Sequence, residues 1–439
     1  MESIELRPDS GSNVVHRPQS QENAERPPSP IDESPSPPTK KHFDFATHDP
    51  LPRAKLRLAM ANYSNFVLGI VDASQGSVLL SMQVYYGVEY QTLSYIFLTI
   101  DAGYFLATFA LPYLISRSHM RLVTLLGSFV VSVAMAVISV APPFGLLVAI
   151  FVALGFGEGI LESAMGSHVA HFEDTVMMNV HYSLYGLGAF VAPLVVSAFI
   201  AHDIPWQRYY LFPLAISIVE MGIQLYAFWN YEAPPQIHTG VTPQQRSKFR
   251  LMLKKRVMWV GSFVAFLAFG LNSTIGAWLV TYLSVKRRGS DTETRYITAG
   301  FYAGVTLGRS LLAYPVSRNP KVVCAVFLAL IVACQLIAWL CTSIKVDAVF
   351  EAFIGFFLGP MFPTVLSLVT EGLDRASVPF GVSFMVCVGL TGNALLPFLV
   401  GQLASHLQMG IGVLQPVTLA CMLVMTGAWL LMPSRKKTQ

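Results

Sequence analysis

Residues 144–167, FGLLVAIFVALGFGEGILESAMGS, decide the structural class of this protein. The stretch is apolar over about 20 residues, the length of helix that crosses the hydrocarbon core of a bilayer. It holds two carboxylates, Glu158 and Glu162, one helical turn apart on the same face. Glycines on either side of Glu158 allow a neighbouring helix to approach closely. The stretch therefore predicts a membrane-spanning helix with an acidic interior face.

The composition of the 439-residue chain extends this prediction to the rest of the molecule. Hydrophobic residues make up 54% and charged residues 12%, against about 45–50% and about 25% in soluble proteins. So few charges cannot cover the exterior of a soluble protein of this length. The net charge of +4 is too small and too dispersed for nucleic-acid binding. We expect a lipid bilayer around the chain and neither a nucleic acid nor a cofactor as a partner.

Apolar stretches of similar length recur along the chain, and we predict twelve spans from them. These are 58–82, 91–115, 120–141, 144–167, 177–201, 207–230, 257–283, 295–317, 321–343, 347–369, 379–403 and 411–432. The longest interior break carries six basic residues and divides the spans six and six. The prediction is an all-α membrane protein with six-helix bundles at 53–230 and 257–432, joined by a basic cytoplasmic linker at 231–256.

The ends of the chain lie outside these spans. Residues 1–52 hold ten of the 27 prolines and few aliphatic residues, which predicts a disordered tail, and residues 433–439 form a second, short tail. With both termini placed in the cytoplasm, 19 Lys and Arg residues face that side and 6 face the other. Because positively charged loops stay in the cytoplasm, we expect both tails to be cytoplasmic.

The two predicted bundles share a weak internal repeat at offsets of 197 to 204 residues. The matching segments are Asp72–Gly76 with Asn272–Gly276, Ile100–Gly103 with Ile297–Gly300, Gly155–Gly159 with Gly355–Gly359, and Gly188–Pro193 with Gly392–Pro397. Parallel six-helix repeats of this kind build alternating-access carriers, in which the substrate binds between the halves at mid-membrane. No Gly-x-x-x-x-Gly-Lys phosphate loop occurs, which argues against an ATP-driven pump.

Several longer motifs carry a resemblance to one family. They are His181–Ala189 with Pro193, Ile275–Thr281, Thr306–Arg309, Gly355–Pro363 and Leu414–Pro416. Together they resemble fungal major facilitator carriers of the bypass-of-stop-codon type, which are relatives of the fucose–proton symporter group. The resemblance implies the major facilitator fold and secondary transport without enzymatic activity, with protons as a second partner. The chain departs from the family at Asn272, where the family has an acidic residue, and at Gly166, where an asparagine is usual.

Four carboxylates inside predicted spans are the candidates for proton coupling: Asp72, Asp101, Glu158 and Glu162. A charged group in a span is costly and usually faces a cavity or a partner. By resemblance to the fucose–proton symporter, which uses an acidic residue in the first span and one in the fourth, Asp72 and Glu162 are the expected pair. The alternative for either residue is a neutral, hydrogen-bonded packing group.

The candidate substrate contacts combine hydrogen-bonding and aromatic side chains at mid-membrane, a mixture that suits a polyol and equally an oxygenated aromatic metabolite. They are His181, Tyr185, Asn272, Trp278 and Asn393. A role in helix packing remains the alternative for each. Arg309, in the eighth span, is predicted to belong to the gate. The string His168, His171 and Glu173 could be proposed as a metal site, but it lacks a third ligand of clear geometry.

The leading hypothesis is therefore a monomeric, proton-coupled secondary carrier of a small organic solute, located in the plasma membrane. The solute is either sugar-like or a specialised metabolite. Export of a fungal secondary metabolite is the first alternative, because the seventh-span carboxylate is absent. A membrane sensor that keeps the fold without transporting is the second, and a metal-dependent hydrolase built on the histidine string is the third.

Overall fold

The computed structural model describes residues 51–170, 175–229, 252–373 and 377–432, and the chain forms twelve long helices within these ranges. The helices are α1 (Leu51–Tyr86), α2 (Tyr90–Arg117), α3 (Met120–Ile138), α4 (Phe144–Ala170), α5 (Thr175–Ala201), α6 (Leu211–Ala227), α7 (Arg256–Lys286), α8 (Asp291–Leu311), α9 (Pro320–Leu340), α10 (Ile344–Leu358, continued as Met361–Glu371), α11 (Val378–His406) and α12 (Leu414–Leu430). The predicted all-α fold is confirmed. Residues 1–50 of the predicted N-terminal tail, the whole C-terminal tail and most of the linker at 231–256 lie outside the described residues, whereas residues 51 and 52 already belong to α1.

Eleven helices in the described ranges are long and apolar enough to cross a membrane. Each matches a predicted span, whereas the eighth prediction, 295–317, corresponds to α8, which is not among the eleven. Helix α8 has a more polar composition because it carries charged residues at both ends, including Asp291 and Arg309. The tenth span is broken at Gly359 and Pro360, where proline lacks the N–H that a continuous helix requires.

The internal repeat appears in the structure as equivalent close contacts between helices. In the first half, Gly188 of α5 lies against the Phe66 carbonyl of α1, so that a side chain at Gly188 would collide with that oxygen. In the second half, Gly392 of α11 lies in the same way against the Phe266 carbonyl of α7. Glycine is required at both positions because the two backbones touch. Helix pairs α1–α5 and α7–α11 therefore pack alike.

A second pair of contacts repeats the same correspondence. Gly155 of α4 lies against the Ile100 carbonyl of α2, and Gly355 of α10 lies against the Phe301 carbonyl of α8. The positions that match in sequence thus occupy matching places in the two six-helix halves. The predicted division into two related bundles is confirmed at the level of the fold.

The two halves contact each other at the end of the bundle where α1 and α7 finish, which we call the far end. Gly76 of α1 lies against the Gly276 carbonyl of α7. Beside this contact, the Arg295 side chain of α8 is almost fully buried, and its Nε donates to the Ser77 carbonyl of α1 at 3.0 Å. A buried arginine needs such partners because it stays charged.

Helices α2 and α11 extend the contact at the far end. The Gln402 side-chain amide donates to the Gln91 carbonyl at 3.3 Å and to the Ser94 hydroxyl at 3.2 Å. The Gln91 backbone N–H donates to the Ser405 hydroxyl at 2.8 Å. These direct hydrogen bonds join the two halves, so the structure is closed at the far end.

We expect the variant Gly76→Val to open the far end, because the added side chain cannot fit against the Gly276 carbonyl. The opening can be measured in a cysteine-free background in which Ser94, which is buried, is changed to cysteine. A maleimide should label this cysteine about tenfold faster in the valine variant, which corresponds to about 1.4 kcal/mol. Gly145→Val is the control, since the space beside Gly145 is empty. Equal labelling rates in the two variants would show that the glycine contact does not hold the far end closed.

Candidate functional site

Asp72 lies near the middle of α1 and faces α5. The Tyr185 hydroxyl donates to Asp72 Oδ2 at 2.7 Å. This contact is possible because α1 and α5 pack backbone to backbone one turn away, where Gly69 lies against the Tyr185 carbonyl. Two of the predicted residues, one from the proton-coupling set and one from the substrate set, are therefore in direct contact.

The other three predicted carboxylates converge on Asp72. Asp101 of α2 lies close enough to Asp72 and Glu162 for their charges to interact. Glu158 of α4 interacts in the same way with Asp72, Asp101 and Glu162. Asp101 is 3% exposed and Glu158 is fully buried. No hydrogen-bond partner within the described ranges reaches the carboxylate oxygens of Glu158. Buried carboxylates without partners are costly, so this cluster is a strong candidate for a functional site.

Phenol hydroxyls surround the carboxylate cluster. Tyr104 of α2 lies close enough to Glu162 to interact with its carboxylate. Tyr302 of α8, which belongs to the second half, has Asp72 as an electrostatic neighbour. Its hydroxyl lies against Gly276 of α7. Phenols donate and accept hydrogen bonds and offer an apolar face, so they suit a solute that carries several hydroxyl groups.

The second half contributes amides to the same region. Asn393 of α11 approaches Asp101 closely enough to interact with its carboxylate. Asn272 of α7 is half-buried and lies one helical turn before Gly276, on the face that meets Tyr302. The predicted amide residues therefore lie on the side of the second half that faces the acidic first half.

Arg309 lies at the interface between the two halves, which we call the seam. Tyr182 and Tyr185 of α5 are its electrostatic neighbours, and Tyr182 also neighbours Glu162. The guanidinium Nε donates to the Gly359 carbonyl at 3.4 Å, at the break in α10. Arg309 thus connects α8, α10 and α5 beside the carboxylate cluster, as a residue of a gate would.

His181 occupies a different environment from the carboxylate cluster. It is fully buried, and its Nδ1 lies 3.2 Å from Asn62 Oδ1 of α1. The Asn65 side-chain amide donates to the His181 carbonyl at 2.7 Å. The structure therefore places His181 in the packing between α1 and α5.

Trp278 is also placed among packing contacts. It is fully buried, and its Nε1 donates to the Pro397 carbonyl at 2.9 Å. Its ring meets the rings of Tyr90 and Phe97 of α2 edge-on, with centroids 5.8 and 5.9 Å away. This tryptophan joins α7, α11 and α2 at the closed far end, where it contacts both halves.

Sequence reasoning missed a buried carboxylate on α6. Glu220 is fully buried and accepts from the Ser64 hydroxyl at 2.5 Å and from the Gln224 side-chain amide at 2.8 Å. The Ser128 hydroxyl of α3 donates to Gln224 Oε1 at 3.0 Å. An acidic residue inside the sixth predicted span is the signal that could have identified this network.

A second missed cluster lies inside the second half. Arg287, at the end of α7, pairs with Asp347 at the start of α10, with Nε and Oδ2 2.7 Å apart. The same guanidinium donates to the Ala338 carbonyl at 2.6 Å, and Glu351 is buried beside the pair. Asp347 and Glu351 stand one turn apart in an apolar segment, a pattern that marks a buried acidic face as clearly as Glu158 and Glu162 do.

Of the histidine string considered as a metal site, His171 and Glu173 lie outside the described residues. Within the described ranges, no group of three or more His, Cys, Asp and Glu side chains could hold a metal ion. His168 is buried on α4 and its ring meets Phe228 edge-on at 5.5 Å. The structure therefore places His168 among packing contacts.

The geometry as a whole suits binding and release. The first half presents acidic and phenolic groups, the second half presents amides, a phenol and an arginine, and both sets face the seam. A carboxylate in such a site can exchange a proton when the seam becomes accessible from one side or the other, while amides and phenols hold a solute by hydrogen bonds.

Comparison with known proteins agrees with this architecture. The family model described as Major Facilitator Superfamily matches residues 63–397. The chain is 26% identical over 390 residues to Bypass of stop codon protein 6 of Saccharomyces cerevisiae, covering 81% of this chain and 78% of the yeast protein. It is 24% identical over 348 residues to the Glucose/mannose transporter GlcP of Bacillus subtilis, covering 76% of this chain and 85% of GlcP.

Among solved structures, the fold is similar to that of a variant of the E. coli fucose:proton symporter FucP. The TM-score is 0.62 at 15% identity, with 86% of this chain and 98% of the FucP chain covered. At this identity the likeness concerns the fold alone. The resemblance noted in the sequence motifs is confirmed by these matches.

Proposed function

Because the chain belongs to the Major Facilitator Superfamily, we propose that it is a proton-coupled secondary transporter of a small, polyhydroxylated, sugar-like solute. The family and the fold are those of transporters rather than of enzymes, and the chain is a multi-pass membrane protein. Its similarity to a bacterial glucose/mannose transporter supports transport of a small solute.

The observation that carries the proposal is the Asp72–Tyr185 contact at the seam. Asp72 accepts a hydrogen bond from Tyr185, while Asp101 is buried beside it and Glu158 is buried without a hydrogen-bond partner in the described part of the chain. Across the seam, Asn393 and Tyr302 face these carboxylates. In the proposal, a proton and a solute occupy this region together, and both are released when the halves separate at the opposite end.

Four carboxylates and a single arginine favour a solute without negative charge. A phosphorylated or carboxylated solute would meet repulsion from the cluster, whereas the hydroxyl groups of a sugar can donate to carboxylates and amides. The asparagine at position 272 favours a second candidate, namely export of an oxygenated secondary metabolite. That position carries an amide where the related carriers have an acidic residue, and the change alters the charge beside the solute.

Uptake into proteoliposomes with an imposed pH gradient tests the proposal. The purified full-length protein is supplied with radiolabelled D-glucose, D-mannose and D-galactose, one at a time. We expect at least one hexose to accumulate against its gradient, and a protonophore to abolish the accumulation. Saturable binding of a hexose without accumulation would contradict transport and favour the sensor. Absence of both binding and uptake for all three sugars would contradict the sugar-like class.

The orientation is proposed from the charge distribution of the loops. We infer that both termini lie in the cytoplasm and that the far end of the bundle faces outward, in the plasma membrane, because 19 Lys and Arg residues fall on the cytoplasmic side against 6. A tag on either terminus should resist protease added to intact cells and be cleaved after permeabilisation. Cleavage of either tag in intact cells would contradict this orientation.

A further inference from the structure

An apolar groove runs along the outer surface of the first half, between α3 and α6. Its volume is about 530 Å³. The lining residues follow one face of each helix and are Leu122, Leu125, Leu126, Phe129, Ile218, Met221, Gly222 and Leu225. On α3 and on α6 they are spaced three or four residues apart, so each helix presents a continuous apolar face to the groove.

The groove has an open floor and two distinct ends. Gly222 leaves empty space where a side chain would lie, with no atom within 4 Å. At one end, Arg121 of α3 stands beside Trp229, which follows α6. At the other end, the Ser132 hydroxyl reaches the Met221 sulfur at 3.9 Å and bridges the two helices.

The length of the groove matches one leaflet of a bilayer. Arg121 and Ser132 are 11 residues apart on α3, a distance of about 16 Å at 1.5 Å per residue. The hydrocarbon core of a bilayer is about 30 Å thick, so one leaflet contributes about half of that. With Arg121 at the surface of the membrane, the bridged end of the groove lies near the bilayer centre.

The surface end of the groove carries a positive charge that no carboxylate of the described ranges neutralises. The Arg121 guanidinium lies over the Trp229 ring, 4.6 Å from its centroid, and Nη1 donates to the Trp229 carbonyl at 3.4 Å. These contacts hold the side chain in place. An arginine has five N–H donors, so most of them remain available to an anionic group at the membrane surface.

From these features we propose that the α3–α6 groove binds one anionic phospholipid. One acyl chain lies over Gly222 along the leaflet, and the headgroup phosphate binds Arg121 beside Trp229. Tryptophan at the membrane surface and arginine beside a phosphate are each favourable for physical reasons, since indole is amphipathic and guanidinium forms paired hydrogen bonds. A zwitterionic lipid fills the same groove with lower affinity because its net charge is zero.

The proposed lipid covers the contact between α3 and α6, and a buried polar network lies behind that contact. Behind the groove, Ser128 of α3 donates to Gln224, which donates to Glu220, which accepts from Ser64 of α1. An acyl chain in the groove keeps water away from these hydrogen bonds, which are stronger in a dry surrounding. The lipid therefore holds α3 and α6 together over the network that connects both to α1.

Native mass spectrometry of the purified full-length protein tests the proposal. Dioleoyl phosphatidylglycerol and dioleoyl phosphatidylcholine are added in equal amounts to delipidated protein. We expect one phosphatidylglycerol to be retained about tenfold more tightly than phosphatidylcholine. Arg121→Gln should remove this preference, and Gly222→Leu should prevent retention of either lipid, because the leucine side chain fills the floor of the groove.

Two matched variants serve as controls. Gly427→Leu adds the same side chain at a glycine of α12 that also faces empty space. Arg318→Gln removes an arginine that also lies over an aromatic ring, that of Tyr314, 5.2 Å from its centroid. Both should retain phosphatidylglycerol as the unchanged protein does. Equal retention of the two lipids, or equal retention by the Gly222→Leu and Gly427→Leu variants, would overturn the proposal without affecting the proposed transport function.

Discussion

Asp72→Asn is expected to abolish proton-driven accumulation of the solute while exchange of solute across the membrane continues. The amide has the shape of the carboxylate and can still accept a hydrogen bond from Tyr185, so the site keeps its geometry. It cannot take up or lose a proton in the transport cycle. A gradient of two pH units stores about 2.7 kcal/mol per proton, which sustains about a 100-fold accumulation ratio with one proton per solute. In the variant this ratio should fall to about 1.

Two measurements on the same proteoliposomes separate loss of coupling from loss of binding. Net accumulation is followed with an imposed pH gradient, and counterflow is followed with equal pH on both sides and solute loaded inside. Glu89→Gln is the control, because Glu89 is exposed in the loop before α2, away from the cluster. The expectation for Asp72 fails if the asparagine variant accumulates solute as the unchanged protein does at every pH.

Arg287→Ala is expected to destabilise the second half by about 3–5 kcal/mol. The substitution leaves Asp347, which is fully buried, without its cation, and Glu351 is buried one turn away. It also removes the hydrogen bond to the Ala338 carbonyl. Breaking a buried ion pair by removing one partner is costlier than replacing both, because an uncompensated charge remains in a dry surrounding.

The unfolding free energy in detergent micelles measures this effect. Arg318→Ala is the control for loss of an arginine, because Arg318 is exposed and lies over a tyrosine ring. The double variant Arg287→Met with Asp347→Leu removes both charges and should recover most of the lost stability. A loss below about 1 kcal/mol for Arg287→Ala would mean that the pair is solvated and does not secure α7 to α10.

The sequence was sufficient to predict the helices because each span must satisfy its own backbone hydrogen bonds in lipid. Span length and apolar composition therefore report the fold directly. The repeat could be found because glycines at backbone contacts, such as Gly155 and Gly355, have no substitute. The eighth span is the exception to the hydropathy signal, since α8 carries charged residues at its ends and uses Arg295 and Arg309 at the seam.

The candidate site could be predicted in part for the same physical reason. Carboxylates are rare in spans, so Asp72, Asp101, Glu158 and Glu162 are conspicuous in the sequence, and the structure brings them together. Aromatic and imidazole side chains carry a weaker signal, because they serve packing as well as binding. Periodicity alone could not show that Trp278 joins three helices at the far end, since its partners are distant in sequence.

The buried clusters that sequence reasoning missed depend on contacts across long separations. Glu220 is stabilised by Ser64, which lies 156 residues earlier in the chain. Arg287 follows the seventh span among other basic residues, which favours an exposed loop, and the pairing with Asp347 arises only when α7 and α10 pack. A single sequence contains no measure of such distances.

Distances between the halves, measured by electron paramagnetic resonance at both ends of the bundle, test the central claim most directly. One spin-label pair at Glu89 and Leu407 reports the far end, and a second pair at His119 and Asn319 reports the opposite end; these positions are exposed. Acidification should change the two distances in opposite directions, and Asp72→Asn should suppress the change. Distances that increase together at both ends, or that do not change with pH in the unchanged protein, would contradict proton-coupled alternating access.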